Sequence, residues 1–255
     1  MTDELTYFWL GLALILGLIF GSFANVLIHR LPREESIVKP GSHCPECSIP
    51  IPWHWNIPLA SYIALKGKCR NCGAVIHFRY FLVELVTGLL FLAAMAEFGL
   101  SWESLFYAAV FFIMIVHAAI DLEHFLLLDS INIAGAIIGL AGIILIPSLD
   151  LIEGIFGAIF GGGLLGLVYL LSLAIFRKRG MGLGDIKTGA VMGLFLGVAP
   201  VIFTLLLASL LGIIWGVAKI LTGQGRIVPF GTLLAIGAIA ILLLDWFSGI
   251  SGILY

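Results

Sequence analysis

Eight runs of apolar residues, at 5–28, 80–98, 104–120, 131–147, 152–176, 186–199, 201–218 and 229–247, occupy most of a 255-residue chain. A bilayer's hydrocarbon core is about 30 Å thick and takes about 20 helical residues to cross, so runs of this kind read as membrane spans. Composition agrees, with 61% hydrophobic and 11% charged residues and a mean hydropathy of +1.16, where an average soluble domain carries roughly 25% charged residues. The pattern predicts an all-α polytopic membrane protein of about eight transmembrane helices. It divides into a first helix (1–29), a polar loop domain (30–79) and a seven-helix membrane domain (80–255). A net charge of −2 leaves no basic surplus for gripping nucleic acid, and lipid is the expected surrounding instead.

All 13 cations fall in three connections. Arg30, Arg33, Lys39, Lys66, Lys68, Arg70 and Arg79 lie in the first, Arg177, Lys178, Arg179 and Lys187 in the second, and Lys219 and Arg226 in the third. The opposite connections carry the acids Asp3, Glu4, Glu97, Glu103, Asp150, Glu153 and Asp245. Eight crossings put the three cationic loops on one face, which the positive-inside rule makes cytoplasmic, with both termini outside. Met1-Thr2-Asp3-Glu4 lacks the cationic start of a cleavable signal peptide, so the first run is expected to stay as a helix. Glycines spaced as Gly135 with Gly139, and as Gly157, Gly161 and Gly162 with Gly166, read as close-packing positions between helices.

The four cysteines stand in the first polar loop as Cys44-Pro-Glu-Cys47 and Cys69-Arg-Asn-Cys72. Paired Cys-x2-Cys knuckles at this separation are the signature of a tetrahedral four-thiolate zinc site. A disulfide is the rival, and the reducing cytoplasmic side favours the metal. With four sulfurs and no open position, the zinc would be structural. His43, His54 and His77 are spare ligands or neighbours, and Trp53 and Trp55 either pack the small module or sit at headgroup level.

Ionisable residues in or beside apolar runs are costly, so each needs a reason. They are Glu84, His117, Asp121, Glu123, Asp129 and Asp185. In the eight-span reading, Asp121 ends an outside-to-inside helix and Asp185 begins an inside-to-outside one, which brings both to the cytoplasmic rim. Asp185 closes Gly180-Met-Gly-Leu-Gly-Asp185, where the glycines let an extended peptide approach the backbone. Two aspartates around one water hold a single proton between them, which supplies a base to activate the water and an acid to protonate a leaving amine. That is peptide hydrolysis without a nucleophilic side chain. Taken singly, each aspartate also fits a helix-end role, and Asp129, eight residues after Asp121, is either a helix cap or an alternative first aspartate.

At these residues the chain resembles the type IV prepilin peptidases, bifunctional leader peptidase and N-methyltransferase enzymes among the Gly-x-Gly-Asp membrane aspartic proteases. The resemblance runs from Gly21-Ser-Phe-Ala-Asn-Val-Leu-Ile-His-Arg-Leu-Pro32 through both Cys pairs, Trp53, Asn56-Ile-Pro58, Gly67-Lys-Cys-Arg70 and Arg79-Tyr80 with Glu84. It continues through Ile120-Asp-Leu-Glu123, Gly182 to Asp185 with Lys187, and Pro229-Phe-Gly231. It implies that Asp121 and Asp185 form the catalytic pair of an endopeptidase in the bacterial inner membrane. The implied substrate is a type IV prepilin or pseudopilin, cut after a glycine that follows a short basic leader, with its apolar helix left in the bilayer. S-adenosylmethionine is implied as the methyl donor for the new N-terminus, with Asn25, Glu84 and Lys66 as polar candidates for its pocket. Glu84 is otherwise a partner for Arg79 or Lys187. Two positions depart from the family's pattern, which usually has proline where Leu128 precedes Asp129 and where Thr232 follows Phe230-Gly231. Other readings are a Gly-x-Gly-Asp protease of the signal-peptide-peptidase type, which lacks a four-cysteine loop, and a noncatalytic transporter or assembly scaffold.

Overall fold

A computed structural model of the protein describes residues 3–177, 180–223 and 228–248. Lys178, Arg179 and Arg226, Met1 and Thr2, and the C-terminal residues 249–255 lie outside the described residues. The helices are α1 (Asp3–Arg30), α2 (Ala60–Ala64), α3 (Phe78–Phe98), α4 (Trp102–His124), α5 (Asp129–Leu145), α6 (Leu151–Phe176), α7 (Leu183–Leu196), α8 (Val198–Leu221) and α9 (Phe230–Ser248). Every apolar run is therefore a helix, and α2 is a short extra turn inside the polar loop. No β-strand occurs among the described residues, only two isolated bridges in that loop.

Six helices, α1, α3, α4, α6, α8 and α9, are long and apolar enough to cross a bilayer. The other two of the expected eight are shorter: α5 has 17 residues and α7 has 14, or about 26 and 21 Å at 1.5 Å per residue. Asp185 lies in the first turn of α7, ahead of its apolar run and outside the six spans. Local chemistry sets the helix ends. Asp150 caps α6 by accepting the Ile152 N–H at 2.8 Å, and His77 caps α3 by accepting that of Arg79 at 3.2 Å. Gly197, at φ +80°, makes the reversal between α7 and α8 in a backbone region that other residues avoid.

The chain packs as two compact units, 1–116 and 117–255. In the first, α1 lies against α3 where glycines let the backbones meet: a methyl on Gly17 would stand 2.8 Å from the Gly88 Cα, and one on Gly21 would stand 2.6 Å from the Glu84 Cα. The polar loop that joins these helices is held by Arg30, whose buried guanidinium donates to the carbonyls of Ser36 (2.9 Å), Pro40 (2.7 Å) and Gly41 (3.2 Å). One of the cations that suggested the orientation is thus also the organiser of its own loop.

In the second unit α7 packs on α6 through small residues, since methyls on Gly157 and Gly193 would run into each other's carbonyls, as would those on Gly161 and Gly189. This close seam fixes where the first turn of α7, and with it Asp185, stands. Gly193→Val is expected to lower unfolding stability in detergent by about 1–3 kcal/mol through overpacking, read as a drop in Tm; an unchanged Tm would show that the seam is not a stabilising contact.

Candidate active site

Asp121 in α4 and Asp185 in α7 both belong to the chain's second unit and line one open cleft of about 890 Å³. Among its described lining residues they are the only titratable groups, and the rest of the wall is largely apolar, including Leu127, Leu165, Val168 and Phe230. Asp121 is buried in the last turn of α4. Its Oδ2 accepts the backbone N–H of Thr232 at 2.8 Å, in the first turn of α9, so the carboxylate sits on a helix N-terminus, where amides and dipole favour negative charge. The Thr232 hydroxyl lies 3.2 Å from the same oxygen and 2.8 Å from the Ala118 carbonyl. Its one proton serves one of these acceptors at a time.

Asp185 is held differently. Its Oδ2 accepts the Gly182 N–H at 2.9 Å, a single bond back across the first turn of its own helix to the residue that precedes it. Burial pushes its carboxyl up to about 6; the Gly182 N–H works against that rise and the Asp121 charge adds to it. The glycine segment ahead of it is tied to α6 by Ser172, whose Oγ accepts the Gly180 N–H at 3.2 Å and donates to the Tyr169 carbonyl at 2.7 Å.

Asp129 is engaged elsewhere. It pairs with Lys187 through both carboxylate oxygens, at 2.7 and 2.8 Å, and does not line the cleft. The pair is exposed, so it contributes at most about 1 kcal/mol. Lys187 is therefore not the partner of Glu84, which instead accepts the Leu59 N–H at 2.8 Å. Glu123 faces His124 at 3.9 Å, and His117 is fully buried in α4. Asn25 donates to the carbonyls of Gly21 (3.3 Å) and Tyr80 (3.0 Å). Glu84 and Asn25 both hold backbone, and no chemical step is assigned through them.

In the polar loop the four cysteine sulfurs lie within 4.8 Å of one another and are positioned to bind a metal ion. The Cys44 and Cys72 sulfurs are 3.8 Å apart, the edge expected for a tetrahedron with bonds of about 2.3 Å and nearly twice a disulfide length. All four are free thiols. The knuckles are two copies of one turn: the bridge His43 to Pro50 encloses the first pair and Lys68 to Val75 the second, with Ser48 and Gly73 in the left-handed conformation at the same place. The amides of Cys72 and Asn71 pull the Cys69 thiol down to about 6. The Cys72 thiol is instead pushed up to about 12, against its Ala74 hydrogen bond, by desolvation and the neighbouring sulfurs, so the cluster without a metal favours a thiolate at Cys69 alone. None of the three nearby histidines joins the cluster. The tryptophans divide: Trp55 packs under the Arg70 guanidinium, 4.6 Å from its ring, whereas Trp53 is 82% exposed.

Residues 15–98, from α1 through the cysteine loop to the end of α3, match the bacterial peptidase A24 N-terminal domain. Residues 108–217 match the type IV leader peptidase family. The prepilin leader peptidase/N-methyltransferase of Pseudomonas aeruginosa is 38% identical over 259 residues, covering 90% of this chain and 88% of the relative. The chain belongs to the type IV leader peptidase family. A family member of the same description from Bacillus subtilis is 37% identical, with 90% of this chain and 92% of the relative covered. One from Myxococcus xanthus is 36% identical over 84% of this chain, which spans only 64% of that longer relative. No solved structure matches the chain.

The stretch that matches the leader peptidase family holds both aspartates and stops short of α9. Thr232, beyond that stretch, and Leu127, within it, are two contacts around the aspartates that sequence reasoning missed. The available signal was that one of them, and the residue following the other, depart from the family's usual proline.

Proposed function

We propose that this protein is a membrane aspartic endopeptidase that removes the short basic leader from type IV prepilins or pseudopilins, cutting after a glycine at the cytoplasmic face. The observation that carries the reading is that Asp121 and Asp185 line one cleft with no cation among its described lining residues. Asp121, held as an acceptor by the Thr232 amide, is the base; Asp185, with its raised carboxyl, is the acid. Water gives a proton to Asp121 as its oxygen adds to the scissile carbonyl. As the C–N bond breaks, the Asp185 proton goes to the departing amine, leaving one new carboxyl and one new amine.

The relatives' names support a second activity, N-methylation of the new N-terminus from S-adenosylmethionine. The cysteine cluster takes a structural zinc, for which four thiolates without a vacancy are the fitting donor set. Bacterial inner-membrane location, with the cationic loops in the cytoplasm, both termini outside and eight crossings, follows the charge pattern. So does the functional division into a first helix, a zinc loop over 30–79 and a membrane domain over 80–255 carrying the protease site. The matched N-terminal domain speaks against the signal-peptide-peptidase reading, and the cleft against a scaffold.

Mass spectrometry of a prepilin incubated with the purified protein, with and without S-adenosylmethionine, reads cleavage and methyl gain separately. Because the acid must be protonated, kcat/KM is expected to fall about tenfold per pH unit above about 6, as Asp185 loses its proton. A profile flat from pH 5 to 8 would contradict the assignment. Thr232→Val, which removes one hydrogen bond to the base and keeps the amide, is expected to cost about fivefold in kcat/KM, with Thr232→Ser restoring it. Equal rates for the Val and Ser variants would show the hydroxyl has no part.

A further inference from the structure

We infer that Leu127 sets the size of the side chain that can stand between the two aspartates, making it a specificity-determining residue for the reaction proposed above, on which this inference rests. Leu127 belongs to the connection between α4 and α5 and is half-buried, with its remaining surface in the cleft. It is in close contact with the backbone beside both carboxylates. A methyl built on Gly184, the residue before Asp185, would stand 2.8 Å from the Leu127 Cβ and 3.3 Å from its carbonyl oxygen. One built on Gly231, whose neighbour Thr232 donates to Asp121, would stand 2.6 and 3.1 Å from the two Leu127 δ-carbons and 3.2 Å from the Asp121 Oδ2. The leucine side chain therefore bridges the two glycines and walls one side of the space between the acids.

A peptide hydrolysed here must bring its carbonyl carbon to a water within hydrogen-bond reach of both carboxylates. The Cα of that same residue is one bond away, about 1.5 Å, so its side chain has to project close to this wall. Glycine has nothing to place there, whereas any larger residue meets the leucine isobutyl group. One methyl group in an apolar site commonly changes kcat/KM by about 10- to 200-fold, enough for a single wall residue to enforce a preference for glycine. Leu→Ala removes three carbons from the wall and touches neither carboxylate.

The test compares two prepilin substrates that differ only in glycine or alanine ahead of the cleaved bond, using the full-length purified protein. Their kcat/KM ratio is measured for the wild type, Leu127→Val and Leu127→Ala. The preference for glycine is expected to shrink stepwise, by tenfold or more in Leu127→Ala, through a gain on the alanine substrate. A ratio that stays constant while glycine cleavage survives would overturn the inference, and so would a parallel loss on both substrates in variants whose Tm is unchanged. If Leu127→Ala does not fold, Leu127→Val alone decides, by a ratio moved or unmoved. A wild type that cuts neither substrate would instead sink the peptidase reading itself.

Discussion

Asp121→Asn and Asp185→Asn are each expected to lower kcat/KM for prepilin cleavage by about 10³-fold or more, with the protein still folded. Acid–base contributions of positioned side chains run to about 10²–10⁴-fold, and here each variant removes one end of a single proton relay. The substitutions suit the question because an asparagine oxygen still accepts the hydrogen bonds in place, the Thr232 N–H at position 121 and the Gly182 N–H at position 185. What is lost is the ability to take or give a proton. Groups that act as a unit are not additive, so the double variant is expected to be little worse than either single one. Independent, multiplying losses would show that the two carboxylates do not share one step. Asp129→Asn is expected to leave cleavage within a fewfold of wild type, because that carboxylate is on an exposed lysine.

Removing the metal is expected to unfold the cysteine loop. In residues 31–77 only Cys44 and Gly67 are buried, so the segment has no apolar core of its own. Its order rests on Arg30, the short helix α2 and the four sulfurs. Structural zinc supplies an apparent 10–16 kcal/mol in zinc-finger peptides, so its loss is about the largest perturbation such a loop can suffer. Purified protein is expected to carry about one zinc per chain. Lys66, Lys68 and Arg70 are exposed side chains on a folded loop, so chelation, or Cys44→Ser with Cys69→Ser, should let the unfolded backbone be cut by trypsin after them. Protein free of zinc, with a loop whose proteolysis does not change on chelation, would contradict the assignment.

The parts legible in the sequence are those whose physics is local. Metal ligation needs two cysteines on one turn, so Cys44–Cys47 and Cys69–Cys72 are readable from spacing, and the knuckles turn out to be matching turns. Apolar runs are readable because a membrane demands length, which is why each became a helix. Whether a run crosses is less readable, because the runs at 131–147 and 186–199 already have the 17 and 14 residues of α5 and α7, fewer than the roughly 20 a crossing takes. Asp121 and Asp185 stand out because charge beside an apolar run is rare. Their surroundings do not, because the Thr232 contact spans 111 positions and the Leu127 wedge exists only once α4, α7 and α9 have packed. The expected ambiguity of Asp129 ends the same way, through a lysine 58 residues away.

The most direct measurement is intact-mass analysis of the Asp185→Asn protein given two peptides in detergent, a full-length prepilin and the same prepilin already lacking its leader. The shared-proton account predicts that the first stays uncut while the second still gains a methyl group from S-adenosylmethionine, showing a folded protein that has lost hydrolysis alone. Leader removal by this variant at a rate near that of the wild type would contradict it.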